Sequence, residues 1–392
     1  MSTPLVVVQC TASDLLSSGY QRKQGGGLDG EDAASYAVGA LRDAGLGPVV
    51  LAAPDVAENH ETIPALARRW GVESFLGAEL DTVRRLVEAA AAAGADTIAR
   101  VVMASFYVDP RIVRGQLAQL DAADAEYCTL PRDFNINFGA DVVRAAALQR
   151  VPEMIDRLPP ALHATARYRP WPFLELDAEH FAVTTFDDLP PVSAERVAWI
   201  REQLNWPERA GPGFEGGEYE ALAADYVRDG DVVLDAGCGH GQITSILARH
   251  AAAVVGVDYD ASMIAFARER FPELEFEAAD LQRWSRPGRF DVIFHTHTLE
   301  HCRDAVGTLT NLRASLKPGG RLVVEVPLEL RPGIINPHHE REYTVAMLTE
   351  ELQRAGFAIR EQRGVCRGIY GPAQTAREAF MAVCTAAAGG DA

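Results

Sequence analysis

A glycine-rich turn between two hydrophobic segments is the part of this 392-residue sequence best suited to bind a ligand. Residues 232–241 read VVLDAGCGHG, and a second hydrophobic run ends at Asp258. Glycine adopts positive φ and lets the backbone approach a ligand closely. A carboxylate at the end of the second strand can accept hydrogen bonds from both hydroxyls of a ribose. The pattern predicts a strand–turn–helix–strand unit that binds an adenosine-containing cofactor.

The spacing of the glycines distinguishes between two such cofactors. Gly237, Gly239 and Gly241 form a GxGxG pattern, and Gln242 occupies the position where the dinucleotide pattern GxGxxG requires a third glycine. Asp235 precedes the turn, where its carboxylate would repel a pyrophosphate but would suit a cationic amine. We therefore predict that the cofactor is S-adenosylmethionine rather than NAD.

The second half of the chain alternates between strand-like and helix-like segments, which indicates an α/β fold. Further strands are predicted at 276–281, 290–294 and 316–325, with an antiparallel pair at 357–361 and 380–385. With these motifs in this order, the segment 216–392 resembles the class I S-adenosylmethionine-dependent methyltransferases that act on small molecules. The resemblance implies a Rossmann-like fold with a seven-stranded sheet.

The same resemblance implies a set of cofactor-binding residues. Asp235, Gly237 and Gly239 would line the methionine end of the cofactor, and Asp258 would hold the ribose. Met263 would pack on the adenine, whose amine would donate to Asp280. The set is completed by Cys238, Tyr259, Leu281, His295 and Tyr219. Two readings of Tyr219 stay open, because it either covers the cofactor or packs in the core.

Histidines are concentrated in two loops of this half. His295, His297 and His301 follow the fourth strand, and His338 and His339 follow the fifth. Imidazole suits general-base chemistry at neutral pH. If the acceptor is a hydroxyl, we predict that His297, or else His301 or His338, removes its proton. A structural role in the loops is the alternative.

A metal ion is a further alternative in the first of these loops. His297, Glu300 and His301 carry donor types that bind divalent ions. Their spacing is suggestive but not specific, so the sequence predicts no metal.

Composition narrows the class of partner. The formal net charge of −18 disfavours nucleic acid, since nucleic-acid-binding proteins usually carry a basic face. The six cysteines form no CxxC pair, which is typical of reduced thiols in the cytoplasm. The apolar run at 5–8 is too short for a signal peptide or a membrane span. We expect a cytoplasmic protein with a small-molecule acceptor, and no nucleic acid or membrane partner.

The first half is predicted to be a second α/β domain, so that each domain is a mostly parallel sheet flanked by helices. Strands are predicted at 5–9, 49–53, 72–76, 97–102 and 126–130, with helices at 31–44, 63–70 and 81–93. The predicted boundaries are 1–205 for this domain, 206–215 for a Pro/Gly linker and 216–392 for the methyltransferase-like domain. The first domain could also mediate assembly into a homo-oligomer.

This first domain resembles the nucleotidyltransferase fold of sugar cytidylyltransferases. The resemblance lies in the layout and in the phrases at 9–27, 100–110 and 182–189. Ala104 and Thr184 stand where that family has metal-binding aspartates, and neither side chain can replace a carboxylate on Mg²⁺. We therefore predict a catalytically inactive domain. In it, Arg22, Lys23 and the glycines at 25–27 either cradle a phosphate, belong to a solvated flexible loop or form a protein-contact surface.

Three functions remain open from the sequence. The first is methylation of a small-molecule hydroxyl, on a sugar, a nucleotide-sugar or another secondary metabolite. The second is a bifunctional nucleotidyltransferase and methyltransferase, which would need Mg²⁺ ligands that the first domain lacks. The third is methylation of a macromolecule, either RNA or protein.

Overall fold

The chain divides into two compact units, Met1–Gly211 and Pro212–Ala392, in a computed structural model. The structure describes residues 3–12, 30–102, 106–203, 217–333, 335–366 and 369–387. The segment 206–215 that was predicted as a linker lies outside these residues, as do Arg22, Lys23 and Ala104. No helix among the described residues is long and apolar enough to cross a membrane.

The first unit contains a seven-stranded mixed sheet with the strand order β3-β2-β1-β4-β6-β5-β7. Its strands are β1 (Leu5–Gln9), β2 (Val49–Pro54), β3 (Glu73–Gly77), β4 (Thr97–Val102), β5 (Tyr127–Thr129), β6 (Asp141–Arg144) and β7 (Val183–Thr185). Its described helices are α1 (Gly30–Asp43), α2 (Ala57–Trp70), α3 (Thr82–Ala93), α4 (Pro110–Ala122), α5 (Ala145–Gln149), α6 (Val151–Asp156), α7 (His163–Tyr168), α8 (Trp171–Leu176) and α9 (Ala194–Gln203).

Parallel strands form one side of this sheet, and antiparallel pairing begins at β6. β1 is buried except at Gln9 because it lies between β2 and β4 with both faces covered. β6 pairs antiparallel with both β4 and β5, and β7 then pairs parallel with β5. The α/β prediction is confirmed, although the sequence did not reveal the short strands β6 and β7.

Local signals explain several boundaries in this unit. The side chain of Asp81 accepts a hydrogen bond from the backbone of Arg84 and begins α3, and Gly94 ends that helix in the left-handed conformation. The predicted helix 81–93 is therefore confirmed to within a residue. The helix predicted at 63–70 begins earlier, at Ala57. Its first turns are mostly polar, so the apolar pattern in the sequence did not reveal them.

Among its described residues, the second unit contains an eight-stranded sheet with the order β10-β9-β8-β11-β12-β15-β13-β14. Its strands are β8 (Val232–Ala236), β9 (Ala253–Asp258), β10 (Glu275–Ala278), β11 (Phe290–Thr296), β12 (Leu316–Pro327), β13 (Phe357–Cys366), β14 (Ile369–Pro372) and β15 (Ala379–Ala386). Its helices are α10 (Gly217–Tyr226), α11 (Gln242–Leu247), α12 (Ala261–Arg270), α13 (Ala305–Ser315) and α14 (Val345–Arg354).

The first five strands in this order, which are β10, β9, β8, β11 and β12, are parallel to one another. β15 lies between β12 and β13 and is antiparallel to both. The predicted antiparallel pair at 357–361 and 380–385 is thereby confirmed. The predicted count of seven strands was wrong by one, because β14 folds back on β13 as a four-residue edge strand that ends in Pro372. The strand predicted at 276–281 ends at Ala278, which leaves Asp280 in the following turn.

Candidate functional site

The glycine turn leaves β8 at the carboxyl end of the parallel strands, and its shape depends on glycine at defined positions. Gly237, Gly239 and Gly241 have φ of 90°, 49° and 79°, all in the left-handed region. A Cβ on Gly237 would lie 2.1 Å from Oγ1 of Thr298, the second residue after β11. A Cβ on Gly241 would lie 2.7 Å from Phe276. The turn is therefore a close-packed backbone cradle.

Asp258 closes this cradle from the end of β9. Its Oδ2 accepts a hydrogen bond from the backbone nitrogen of Gly239 at 2.9 Å, and its Oδ1 accepts one from the backbone nitrogen of Asp260, also at 2.9 Å. Each carboxylate oxygen has a second lone pair, so both can still accept a hydrogen bond from a ribose hydroxyl. The residue is 8% exposed, so its carboxylate is held rigidly. The glycine backbone and this carboxylate fit an adenosine cofactor.

Asp235 lies beneath the turn, and its Oδ2 accepts a 2.6 Å hydrogen bond from the hydroxyl of Thr244. Burial, with a further contribution from the charge of Asp258, raises the pKa of Asp235 to about 7. Burial also raises the pKa of the neighbouring Cys238 thiol, so this cysteine is not a thiolate nucleophile. A positive charge brought near the turn would favour the ionised form of Asp235.

The residues predicted at the adenine lie in the helix and turn that follow Asp258. Asp260 caps α12 by accepting a hydrogen bond from the backbone nitrogen of Met263. The side chain of Met263 is half-buried. Tyr259 is 79% exposed. Asp280 is exposed, and its Oδ1 accepts from the backbone nitrogen of Gln282 at 3.0 Å. Met263, Tyr259 and Asp280 are therefore accessible to a ligand.

Three other predicted residues are buried instead. Leu281 and Tyr219 belong to hydrophobic clusters of the second unit, and Tyr219 is 5% exposed, which favours its packing alternative. His295 is fully buried in β11, and its Nδ1 lies 2.8 Å from the carbonyl oxygen of Ala236. Burial lowers the pKa of His295, so the neutral ring donates from Nδ1 to that carbonyl. His295 supports the start of the glycine turn from within the sheet.

His297 lies immediately after β11, at a φ of 48° that is unusual for a residue other than glycine. Its Nε2 lies 2.8 Å from Oε1 of Glu325, an acidic residue within the apolar part of β12. Oε2 of Glu325 accepts a 2.5 Å hydrogen bond from the hydroxyl of Tyr370 in β14. The side chain of His297 is 46% exposed, whereas that of Glu325 is 2% exposed. In this group, the imidazole of His297 is therefore the accessible member, and the carboxylate of Glu325 is the buried one.

The Nδ1 atom of His297 lies 3.6 Å from Oε1 of Glu300, which is too long for a hydrogen bond. Burial lowers the pKa of His297, but Glu300 and Glu325 outweigh that effect and hold this pKa well above its usual range. Both carboxylates therefore favour the charged form of the ring. Sequence reasoning missed Glu325 and Tyr370, although an acid within the apolar run 322–326 was a visible signal.

Two further histidines, His301 and His339, lie close to Glu300. Donor atoms of Glu300, His301 and His339 all lie within 4.8 Å of one another. This group includes two of the three residues considered for a metal, with His339 in the place of His297. His338 is exposed, and its carbonyl oxygen lies 3.0 Å from Nδ1 of His301. Charge from His297 and His301 lowers the pKa of Glu300 despite the burial that raises it.

A match to a known family model lies in the second unit. A family model described as a methyltransferase domain matches residues 233–320. A probable S-adenosylmethionine-dependent methyltransferase of Mycolicibacterium smegmatis is 34% identical over 185 residues, which are 45% of this chain and 69% of that protein. A trans-aconitate 2-methyltransferase of Rhodopseudomonas palustris is 30% identical over 185 residues, 44% of this chain and 68% of that protein.

A third relative is matched over less of its length. A probable S-adenosylmethionine-dependent methyltransferase of Mycobacterium tuberculosis is 34% identical over 146 residues, which are 36% of this chain. The match spans about half of that protein, 52% of its length.

Proposed function

Because this chain belongs to the S-adenosylmethionine-dependent methyltransferases and uses S-adenosylmethionine, we propose that it methylates an oxygen atom of a small-molecule acceptor. The acceptor in this proposal carries a hydroxyl, as in a sugar, a nucleotide-sugar or another secondary metabolite. The observation that carries the proposal is the half-exposed His297 held by the buried Glu325 at the carboxyl ends of β11 and β12. We further propose a cytoplasmic enzyme, and its net charge of −18 favours a small molecule over nucleic acid.

Placement supports an acceptor site at His297. Ligands of open α/β sheets bind outside the carboxyl ends of the parallel strands. β11 is hydrogen-bonded to β8, so both strands end at the same edge and the chain leaves β11 beside the glycine turn. Thr298 packs against Gly237 in this turn, and His297 is its neighbour in sequence. An acceptor that contacts His297 would therefore lie next to the cofactor cradle.

The chemistry follows from the two nitrogen atoms of this imidazole. Glu325 holds the ring through Nε2 and stabilises its charged form, as a carboxylate does in other acid–histidine pairs. The charged ring cannot act as a base, so this role requires the fraction of molecules in which the ring is neutral. In that form, Nδ1 would accept the proton that a hydroxyl loses when it is methylated. Bound S-adenosylmethionine supplies the methyl group, and alignment of acceptor and methyl group contributes about 7–11 kcal/mol.

A carboxylate acceptor is the second candidate, because several relatives are named trans-aconitate 2-methyltransferase. A carboxylate is already an anion and needs no base. In that case the His297 imidazole would bind the acceptor's charge rather than remove a proton. Substitution of His297 would then raise KM while kcat is retained, whereas loss of a base lowers kcat.

The test is a screen for methylated products. The full-length protein with S-adenosylmethionine should be offered nucleotide-sugars, aminosugars and di- and tricarboxylic acids, with mass detection of a single added methyl group. A hydroxyl-bearing product supports the proposal, and a methyl ester supports the second candidate. Methylation only of RNA or protein would refute both.

We also propose that the first unit is a nucleotidyltransferase-like domain without transferase activity. Thr184 supports this proposal, since its hydroxyl accepts a 3.0 Å hydrogen bond from Gln119 and offers no carboxylate to a metal. Incubation with CTP, Mg²⁺ and an acid sugar should release no pyrophosphate. Sustained release would instead favour the bifunctional alternative.

A further inference from the structure

We propose that Glu300, His301 and His339 bind one divalent transition-metal ion, which joins the loop after β11 to the loop after β12. Donor atoms of the three residues lie within 4.8 Å of one another. A pair of imidazoles and one carboxylate is a donor set that first-row divalent ions such as Zn²⁺ accept. The proposal does not depend on which acceptor the enzyme methylates.

The buried carboxylate of Glu300 is the strongest observation. The residue is 0% exposed, and neither of its side-chain oxygens has a hydrogen-bond partner among the described residues. Its nearest basic neighbours are Nδ1 of His297 at 3.6 Å and Nε2 of His301 at 4.0 Å. A buried charge requires a partner, since burial in an apolar environment strongly disfavours an isolated ion.

The length of these separations favours an ion over direct hydrogen bonds. Hydrogen bonds between nitrogen and oxygen span about 2.7–3.2 Å. Two ligand atoms bound to one ion at about 2.0–2.2 Å are instead about 3.0–3.5 Å apart. The 4.0 Å between Glu300 and His301 lies above this spacing, and the donor atoms of the whole group lie within 4.8 Å, so the side chains would move closer together to bind an ion.

The orientation of the two histidines fits the same role. Nδ1 of His301 lies 3.0 Å from the carbonyl oxygen of His338, so this nitrogen donates its hydrogen and the lone pair is on Nε2, facing Glu300. Histidine ligands of metals commonly have the other ring nitrogen fixed in this way. The ring of His339 lies 4.9 Å from that of His301, edge to face. Its buried Nδ1 has no hydrogen-bond partner within the part of the chain that the structure describes, and a carboxylate oxygen of Glu342 is 3.6 Å away.

Backbone contacts already hold the two loops together, so the donor set is preorganised. The carbonyl oxygen of Glu300 accepts a 2.9 Å hydrogen bond from the backbone nitrogen of Glu340. The guanidinium of Arg341 donates a 2.9 Å hydrogen bond to the carbonyl oxygen of Arg303. Mixed nitrogen and oxygen donors disfavour Mg²⁺ and Ca²⁺, which prefer sites made entirely of oxygen.

The test is direct metal binding by the full-length protein after treatment with a chelator and dialysis. Calorimetric titration with Zn²⁺ should give one site per chain, and titration with Co²⁺ should give visible absorption bands from a low-coordinate ion. Glu300→Gln, His301→Gln and His339→Gln should each raise the Kd for Zn²⁺ at least tenfold. His338→Gln is the matched control, since it changes the adjacent, exposed histidine and should bind Zn²⁺ as the unsubstituted protein does.

Binding assays on the same variants separate the possible outcomes. Each variant should first show a cooperative thermal transition without metal, and His339→Gln is the variant to rely on if Glu300→Gln does not fold. Failure of the unsubstituted protein to bind Zn²⁺ stoichiometrically would overturn the proposal, as would unchanged Kd values in the three variants. Methyl transfer by protein that binds no Zn²⁺ would reject this metal site while leaving the proposed function intact.

Discussion

Substitution of Asp258 tests how the cofactor is held. Asp258→Ala removes a carboxylate whose two oxygens each accept one backbone hydrogen bond and each retain capacity for a ribose hydroxyl. A hydrogen bond to a charged group contributes about 1.5–3 kcal/mol. Water entering the vacated space would replace part of two such bonds, so we expect a net loss of about 1.5–3 kcal/mol. That loss corresponds to roughly a tenfold to a hundredfold increase in Kd.

The assay is calorimetric titration of the full-length protein with S-adenosylhomocysteine. Asp258→Asn keeps one carbonyl oxygen and the side-chain volume, so its loss of affinity should be smaller than that of Asp258→Ala. Asp229→Ala removes an exposed negative charge elsewhere in the second unit and should leave Kd unchanged. Thermal melting of the ligand-free variants controls for damage to the Gly239 turn. If a folded Asp258→Ala protein binds with unchanged affinity, the ribose assignment is wrong.

Three further expectations concern the same edge of the sheet. Gly237→Ala should abolish measurable S-adenosylhomocysteine binding because its Cβ would lie 2.1 Å from Thr298, whereas Gly230→Ala, which meets nothing within 4 Å, should bind normally in the same titration. The raised pKa of Asp235, about 7, means that its neutral form stabilises the fold fully below about pH 4 and that this contribution is lost as pH rises through 7. Melting temperatures from pH 4 to 8 should therefore fall less steeply in Asp235→Asn, and parallel curves would contradict this. His297→Gln should lower kcat by about 10²–10⁴ with cofactor affinity unchanged, and normal turnover would remove it from the reaction.

Sequence alone was sufficient to predict the glycine turn and the strand that ends at Asp258, because their signals are local. Gly237 and Gly239 are glycines for reasons of backbone conformation, and Asp258 ends a strand whose apolar run is continuous. Residue type and spacing therefore encode the turn directly. The alternation of strands and helices likewise predicted the parallel side of the sheet and the antiparallel pair that closes it.

The histidine sites could not be predicted in the same way because they depend on tertiary geometry. His295 and His297 are two residues apart, yet the first is sealed in the sheet and the second turns outward at positive φ. His338 and His339 are adjacent, and only the second joins Glu300 and His301. Which of two neighbouring histidines faces a partner depends on loop backbone angles that residue type does not specify.

The edge strand that sequence analysis missed contributes directly to the candidate site. Glu325 lies near the end of the apolar strand β12 and is 2% exposed at its side chain, so its charge requires partners within the fold. His297 supplies one partner, and the hydroxyl of Tyr370 in β14 supplies the other at 2.5 Å. Because β14 pairs only with β13 in the described sheet, it adds little to the core but places this hydroxyl over the carboxylate. The hairpin of β13 and β14 thus fixes Glu325, and Glu325 in turn fixes the imidazole on which the proposed oxygen methylation depends.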